Sequence, residues 1–228
     1  MARSAAAALL LAACYHPTIL AGSPCESSRD CPGDLECVSH VCGGDAAIDA
    51  PPIEHIEVGG ERLRDTEIWI MYPTTNYGTQ DHTSVDLDET ALIWFDLTAI
   101  EKTVVGATMT IETDSLSAAT DGGTVTVHRL REGWLEAEAT WTLRSASQAW
   151  SVEGAQPPAR DATPVATFSP DQLATRFEVE LPVELVQAWI AEPATNFGLA
   201  LVRGTTLSHI HFVSRDVGGG ATLELDLQ

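Results

Sequence analysis

From Ile53 onward the chain is a succession of short apolar or alternating runs broken by Gly, Pro, Asn and Asp. Alternation with period two, bounded by turn residues, is the pattern of an all-β sandwich or barrel. It predicts strands near Ile53–Val58, Thr66–Met71, Ser84–Leu87, Leu92–Leu97, Val105–Thr113, Thr124–Leu130, Val165–Phe168, Phe177–Leu181, Phe197–Val202, Ile210–Ser214 and Thr222–Leu227. Helical periodicity surfaces after Pro182, where Val183, Val186, Trp189 and Ile190 fall on one face. Proline suits a helix start, so a short helix is expected there, plugging one end of the sandwich.

Alternation also sorts the aromatic residues. In the strand from Leu92 to Leu97, residues Ile93, Phe95 and Leu97 share one face while Trp94 and Asp96 share the other. If the first face is core, Trp94 stands outside beside a carboxylate. A flat apolar ring to stack on a pyranose, next to an acceptor for its hydroxyls, is what a sugar-binding face needs. The alternative is that Trp94 packs under a loop or against a second sheet, as large aromatics commonly do. Trp69, Tyr72 and Tyr77 are further ligand-binding candidates. Alternation separates Trp69 and Met71 from Ile68 and Ile70, so Trp69 too has a route to the surface.

The chain ahead of Ile53 has a different character. Met1-Ala2-Arg3 and the apolar run from Ala5 to Ala13 read as an export signal, too short to span a bilayer. Leu11-Ala12-Ala13-Cys14 resembles the lipobox of bacterial lipoproteins, in which Cys14 becomes the acylated first residue. A simple secretory signal cut after a small residue is the alternative. Acyl chains contribute roughly 0.8 kcal/mol per buried methylene, so a multiply acylated Cys14 would tether the protein firmly to a membrane. Tyr15, rather than Asp, after that cysteine resembles outer-membrane sorting in a Gram-negative cell.

Cys25, Cys31, Cys37 and Cys42 then crowd into a stretch rich in turn residues. An even cysteine count in an exported chain predicts two disulfides, with the pairing left open. Zinc is the rival, but no C-x-x-C pair is present and His40 is the nearest imidazole. The segment resembles cysteine-rich stalks of surface lipoproteins of myxobacterial type. The expected organisation is therefore a signal at 1–13, a stalk at 14–42, a linker rich in Gly, Asp and Pro at 43–52, and one domain at 53–228.

Charge narrows the partners. Twelve basic residues face 33 acidic ones, a formal net charge of -21, which repels phosphate backbones and argues against nucleic-acid binding. The same excess would weaken binding to an acidic polymer, so a neutral glycan ranks above a polyanionic one. Solubility alone also accounts for acidic excess.

Trp134, Glu136, Thr140, Trp141, Trp150 and Gly154 resemble the W-x-E-x-x-x-T-W … W-x-x-x-G signature of DNRLRE-domain proteins, which overlap carbohydrate-binding module family 96. The likeness runs from about Arg62 to the C-terminus. Asn76-Tyr77-Gly78 is similar to the family's N-Y-G turn, Phe95-Asp96-Leu97 to its F-D-L strand, Val186 and Trp189 to its helix, and Asn196-Phe197-Gly198 to its N-x-G. This resemblance implies a jelly-roll-like antiparallel β-sandwich with one short helix, here preceded by a small disulfide-rich segment. It also implies a non-catalytic module that holds glycan; a structural or protein-adhesive surface domain is the alternative. Alginate-binding members grip their polymer with basic side chains, which this chain has few of. Two positions depart from the pattern: Ala221 replaces a Pro before the last strand, and Trp94 replaces a basic residue. The signature tryptophans have a plainer explanation as core, since a buried Trp removes about 150–250 Å² from water.

No cofactor is expected, although Asp81, Asp86 and Asp88, with Glu89, flank a turn and could give hard oxygens to a structural Ca²⁺. His209-Ile210-His211 puts two imidazoles on one strand face, the beginning of a Zn or Cu site without a third ligand nearby in sequence. No G-x-S-x-G, H-E-x-x-H or phosphate-binding glycine motif occurs. Glu136 is the tempting general acid, but a carboxylate accepting backbone hydrogen bonds in a turn explains its setting more simply.

Overall fold

The structure, a computed structural model, describes residues 22–43, 52–115, 123–205 and 209–228. The expected signal segment and Cys14 lie outside the described residues, as does most of the expected linker. The chain divides at Pro51 and Pro52 into two compact units.

In the first unit a hairpin pairs β1 (Cys37–Val38) with β2 (Val41–Cys42). Ser39 and His40 turn it with φ of 51° and 65°. Disulfides join Cys25 to Cys37 and Cys31 to Cys42. A segment this short cannot bury a core, and the cross-links supply what burial cannot. With all four sulfurs covalently paired, the zinc alternative loses its thiolate ligands.

The second unit is a β-sandwich. Its strands are β3 (Glu54–Val58), β4 (Leu63–Trp69), β5 (His82–Val85), β6 (Glu89–Phe95), β7 (Val104–Glu112), β8 (Val125–Arg129), β9 (Leu143–Ser145), β10 (Gln148–Ala149), β11 (Ala166–Phe168), β12 (Arg176–Glu180), β13 (Leu199–Arg203), β14 (Ile210–Val213) and β15 (Thr222–Leu227). One sheet has the order β11-β8-β13-β6-β4, the other β12-β7-β15-β3, and every pairing is antiparallel. A third pair, β5 with β14, lies beside them. The core between the sheets takes Ala91, Ile93 and Phe95 from β6, Leu199 and Leu201 from β13, and Met109, Ile111, Leu223 and Leu225 from the facing sheet. The helix α1 (Val183–Ala191) starts after Pro182 and drives Val186 and Trp189 into that core. Its Gln187 Oε1 accepts a 2.8 Å bond from Val104 N at the start of β7.

Two expectations about strands need correcting. The predicted strand Thr66–Met71 begins earlier and stops at Trp69, because Ile70 and Tyr72 turn away: Ile70 N donates to Asp88 O and Tyr72 N to Trp69 O. The neighbouring strand begins at Glu89 rather than Leu92. Buried acids caused both shifts: Asp65, Glu67 and Glu89 point the same way as Leu63, Ala91 and Ile93 and interrupt the apolar alternation. The hairpin of β9 and β10 carries no apolar alternation and was not expected.

The outer face of the five-stranded sheet is also covered. Residues 131–160 lie across it, and Ile68, Leu92, Leu130, Trp134, Trp141, Trp150 and Ala200 form a second apolar cluster beneath them.

Candidate functional site

The tryptophan signature builds this cover. Trp134, Trp141 and Trp150 are all buried. Trp134 Nε1 donates to Phe197 O at 3.0 Å and Trp150 Nε1 to Thr140 O at 2.9 Å, so the polar edges of the two rings are satisfied inside the protein. Glu136 fastens the cover to the sheet. Its carboxylate takes a two-pronged ion pair from Arg215, at 3.0 and 2.8 Å, and a 2.9 Å bond from Asp65 N on β4. That is the work of a latch, in line with a carboxylate accepting backbone hydrogen bonds. Asp65 beside it accepts from Arg215 N and Ser214 Oγ. Burial nevertheless pushes its pKa up to about 6, with the charges of Glu136 and Asp216 adding to the shift.

The two Asn-x-Gly turns share one hydrogen-bond design. Asn76 Nδ2 donates to Glu136 O and Ala139 O, and Asn196 Nδ2 donates to Phe95 O. In each turn the Asn Oδ1 accepts from the Gly N at 3.2 Å. The glycines are needed for different reasons. Gly198 sits at φ 83°. Gly78 does not share that conformation; a Cβ there would come within 2.3 Å of Glu136 O.

Trp94 does lie on the face opposite Ile93 and Phe95, but the cover partly roofs it. Its Nε1 donates to Asn196 O at 2.9 Å, and the Arg64 guanidinium carbon stands 4.3 Å from its ring centroid. Arg64 is its register partner on β4, so a basic group stands beside Trp94. Arg64, Trp94, Trp134, Ala194 and Phe197 line a cavity of about 250 Å³. Asp96 does not line it. Its carboxylate accepts from Thr98 Oγ1 at 2.6 Å and Thr98 N at 3.0 Å, and these bonds hold its pKa below the usual carboxylate value. Trp94 and Asp96 are therefore not brought together into one cavity.

The other three aromatic candidates are brought together. Trp69 and Tyr72 meet edge to face with ring centroids 4.7 Å apart, and Tyr77 lies 6.2 Å from Trp69. Trp69 Nε1 donates to Asp88 Oδ2 at 2.9 Å, which fixes the indole. Tyr72 is 54% exposed, and Met71 and Leu87 nearby in the chain are 65% and 80% exposed. Beside the rings are two buried acids: Glu67, which sequence reading did not single out, and Glu89, which it offered only alongside the calcium candidates. Burial pushes Glu89 up to about 8, with the charges of Glu67, Asp88 and Asp86 acting in the same direction. The Tyr77 phenol is pushed up by burial and then by Glu67. A shallow cavity of about 380 Å³ adjoins, lined among others by Asp86, Leu87, Glu89, Arg160 and Arg203. The one sequence signal for the buried pair is that acids occupy strand positions in phase with core residues.

Asp81, Asp86 and Asp88 turn to three different partners: His82 at 2.6 Å, the Leu87 amide at 2.7 Å, and Trp69. Among the described residues these three do not gather their oxygens into one ligand set.

An aromatic patch beside carboxylates offers faces for stacking and acceptors for hydroxyl groups. The family model for carbohydrate-binding module family 96 matches residues 63–227, and the chain belongs to that family. Among curated proteins no match is found.

Proposed function

We propose that this module binds a neutral polysaccharide, without chemistry, on the patch formed by Trp69, Tyr72 and Tyr77. The observation that carries this reading is the edge-to-face pair of half-buried Trp69 and exposed Tyr72, with Asp88 held beside it. Pyranose C–H faces stack on aromatic rings, and carboxylates accept their hydroxyls. Asp86, Asp88, Glu67 and Glu89 surround the patch with acid, and a formal charge of -21 disfavours a uronate polymer. The test is a pull-down of the full chain on a panel of insoluble neutral and acidic polysaccharides, with and without chelator, reading Trp fluorescence on any hit. Saturable binding to a neutral polymer with a change in emission is expected, and Tyr72→Ala should weaken it at least tenfold. Retention on acidic polymers alone would overturn the reading.

A second reading rests on the cavity between Arg64 and Trp94, where a cation and an indole face could take one acidic or polar sugar unit. Trp94→Ala separates it from the first.

The same proposal places the module at a cell surface. Cys14 after Leu11-Ala12-Ala13 is the acylation site of an outer-membrane lipoprotein, residues 14–42 are a stalk and 43–52 a linker. Metabolic labelling with a fatty acid, lost in Cys14→Ser, tests the anchor. Glu136 is assigned no catalytic role because Arg215 and the Asp65 amide occupy both of its oxygens.

A further inference from the structure

Three acids on β4 and β6 lie in phase with the core, and two of them are answered. Asp65 accepts from Arg215 N and Ser214 Oγ, and Glu89 Oε2 meets His209 Nε2 at 2.7 Å. Glu67 is not answered. It is 4% exposed, its Oε2 is sealed from solvent without a hydrogen bond, and no ion pair reaches its carboxylate among the described residues. A buried carboxylate without a counter-charge is costly, and a cation held nearby offsets that cost. Glu67 and Trp69 share one face of β4. After burial, the charge of Glu67 is the largest cause of the upward shift of the Tyr77 phenol, so the carboxylate sits close behind the rings.

The rings give an independent sign. At Trp94 the chain supplies its own cation, with the Arg64 guanidinium 4.3 Å from the ring centroid. Among the described residues no cationic group of the chain stands over Trp69, Tyr72 or Tyr77. Yet Trp69 is the indole prepared for one. Its N–H is donated to Asp88 Oδ2 at 2.9 Å, which adds electron density to the ring and strengthens its attraction for positive charge. Asp88 Oδ1 accepts no hydrogen bond from the described residues and is left for a ligand. The other nearby acids are spoken for: Arg203 stands 3.7 Å from Asp86, and Glu89, pushed up to about 8 by burial, keeps its proton at neutral pH. Glu67 and Asp88 therefore supply the charge that a ligand meets.

We infer that the patch prefers sugar units bearing a free amino group: the ammonium rests on the open faces of Trp69 and Tyr72, Asp88 accepts its N–H, and Glu67 lies behind as counter-charge. The inference rests on the reading that a glycan binds this patch. Neutral units bind there by stacking alone, and amino-bearing units bind more tightly. An ammonium suits the patch better than a metal ion, because a cation on ring faces needs no convergence of three ligand atoms.

The test is calorimetric titration of the full chain with two hexasaccharides of one β-1,4-linked backbone, glucosamine and its N-acetylated counterpart, at about pH 6, where amines keep their protons. The glucosamine chain should bind about tenfold more tightly, the order expected of a cation on a ring face with a carboxylate beside it. Glu67→Gln and Asp88→Asn should each narrow that preference several-fold. Both substitutions preserve side-chain shape, the second keeps an oxygen to accept the Trp69 N–H, and near-UV circular dichroism matching the parent checks their folding. Tyr72→Ala should weaken binding of both chains. Binding of both without preference, lost in Tyr72→Ala, overturns the inference and leaves the glycan reading standing. Silence toward both also overturns it, and leaves that reading to its own polysaccharide panel. A preference that neither charge variant reduces would be the pull of the whole acidic chain, and contradicts the inference as well. A preference that survives Tyr72→Ala moves the site off the patch and overturns both.

Discussion

Strands β4 and β6 carry a tryptophan toward each end of their pairing, Trp69 on the face of Leu63 and Glu89 and Trp94 on the opposite one, and the two are finished differently. At one end Trp94 faces Arg64 across the register, and the segment 131–160 brings Trp134 over it while the Asn196 turn takes its indole N–H. At the other end Trp69 faces Glu89, and only Tyr72 and Tyr77 join it, with Tyr72 open to solvent. Strand alternation decides which side of a sheet a ring leaves from. Whether the ring then meets solvent depends on what chain lies over that side, and alternation carries no information about that.

The contrast is sharpest in stability. Trp134→Ala removes a buried ring and its hydrogen bond from the roofed end and should cost about 3–5 kcal/mol in chemical denaturation. A loss near 1 kcal/mol would mean that the cover is not part of the core. Glu136→Gln should cost about 2–4 kcal/mol, because it leaves the partly buried Arg215 without its counter-charge. The same variant should increase hydrogen exchange across residues 131–160 before the rest of the sheet, which a latch requires and a catalytic acid does not.

A pH profile reaches the same latch from the other side. The folded pKa of Asp65, about 6, lies above the ordinary aspartate value of 3.8 that it takes in the unfolded chain. The folded state therefore holds this proton more tightly. The associated stability is full below about pH 4 and is lost as pH rises through 6. The difference is about 3 kcal/mol, and Asp65→Asn should flatten the decline in melting temperature over that window. An unchanged profile in the variant would place the decline elsewhere. The smallest effect on folding is expected at the open end, where Tyr72→Ala should change stability by no more than about 0.5 kcal/mol.

The fold was legible because most of its strands alternate cleanly: Thr222–Leu227 alternates buried and less buried residues along its length, and Pro182 marks the helix start. The acids in β4 and β6 hid the beginnings of those strands. Asp65 makes sense in phase with Leu63 only once Ser214 and Arg215, about 150 residues away in sequence, are placed beside it. The candidate site was legible in part. Trp69, Tyr72 and Tyr77 could be named from residue type, but their convergence depends on the turn at Ile70 and on Asp88 reaching the indole, both set by tertiary pairing. Trp94 was read correctly for its face, and of the two surroundings considered the structure shows packing under a loop, although the segment that forms the roof could not be named because its own hairpin has no hydrophobic pattern. The burial of Glu67 and Glu89 gave little signal, because acids in a half-buried strand ordinarily point outward.

The most direct measurement is affinity electrophoresis of Tyr72→Ala and Trp94→Ala, side by side, in gels containing the polysaccharide that the parent protein binds, well below both melting temperatures. The expected result is that Trp94→Ala remains retarded while Tyr72→Ala runs as it does in an empty gel. Retardation kept by Tyr72→Ala and lost by Trp94→Ala would contradict the assignment and move the site to the roofed end of the sheet.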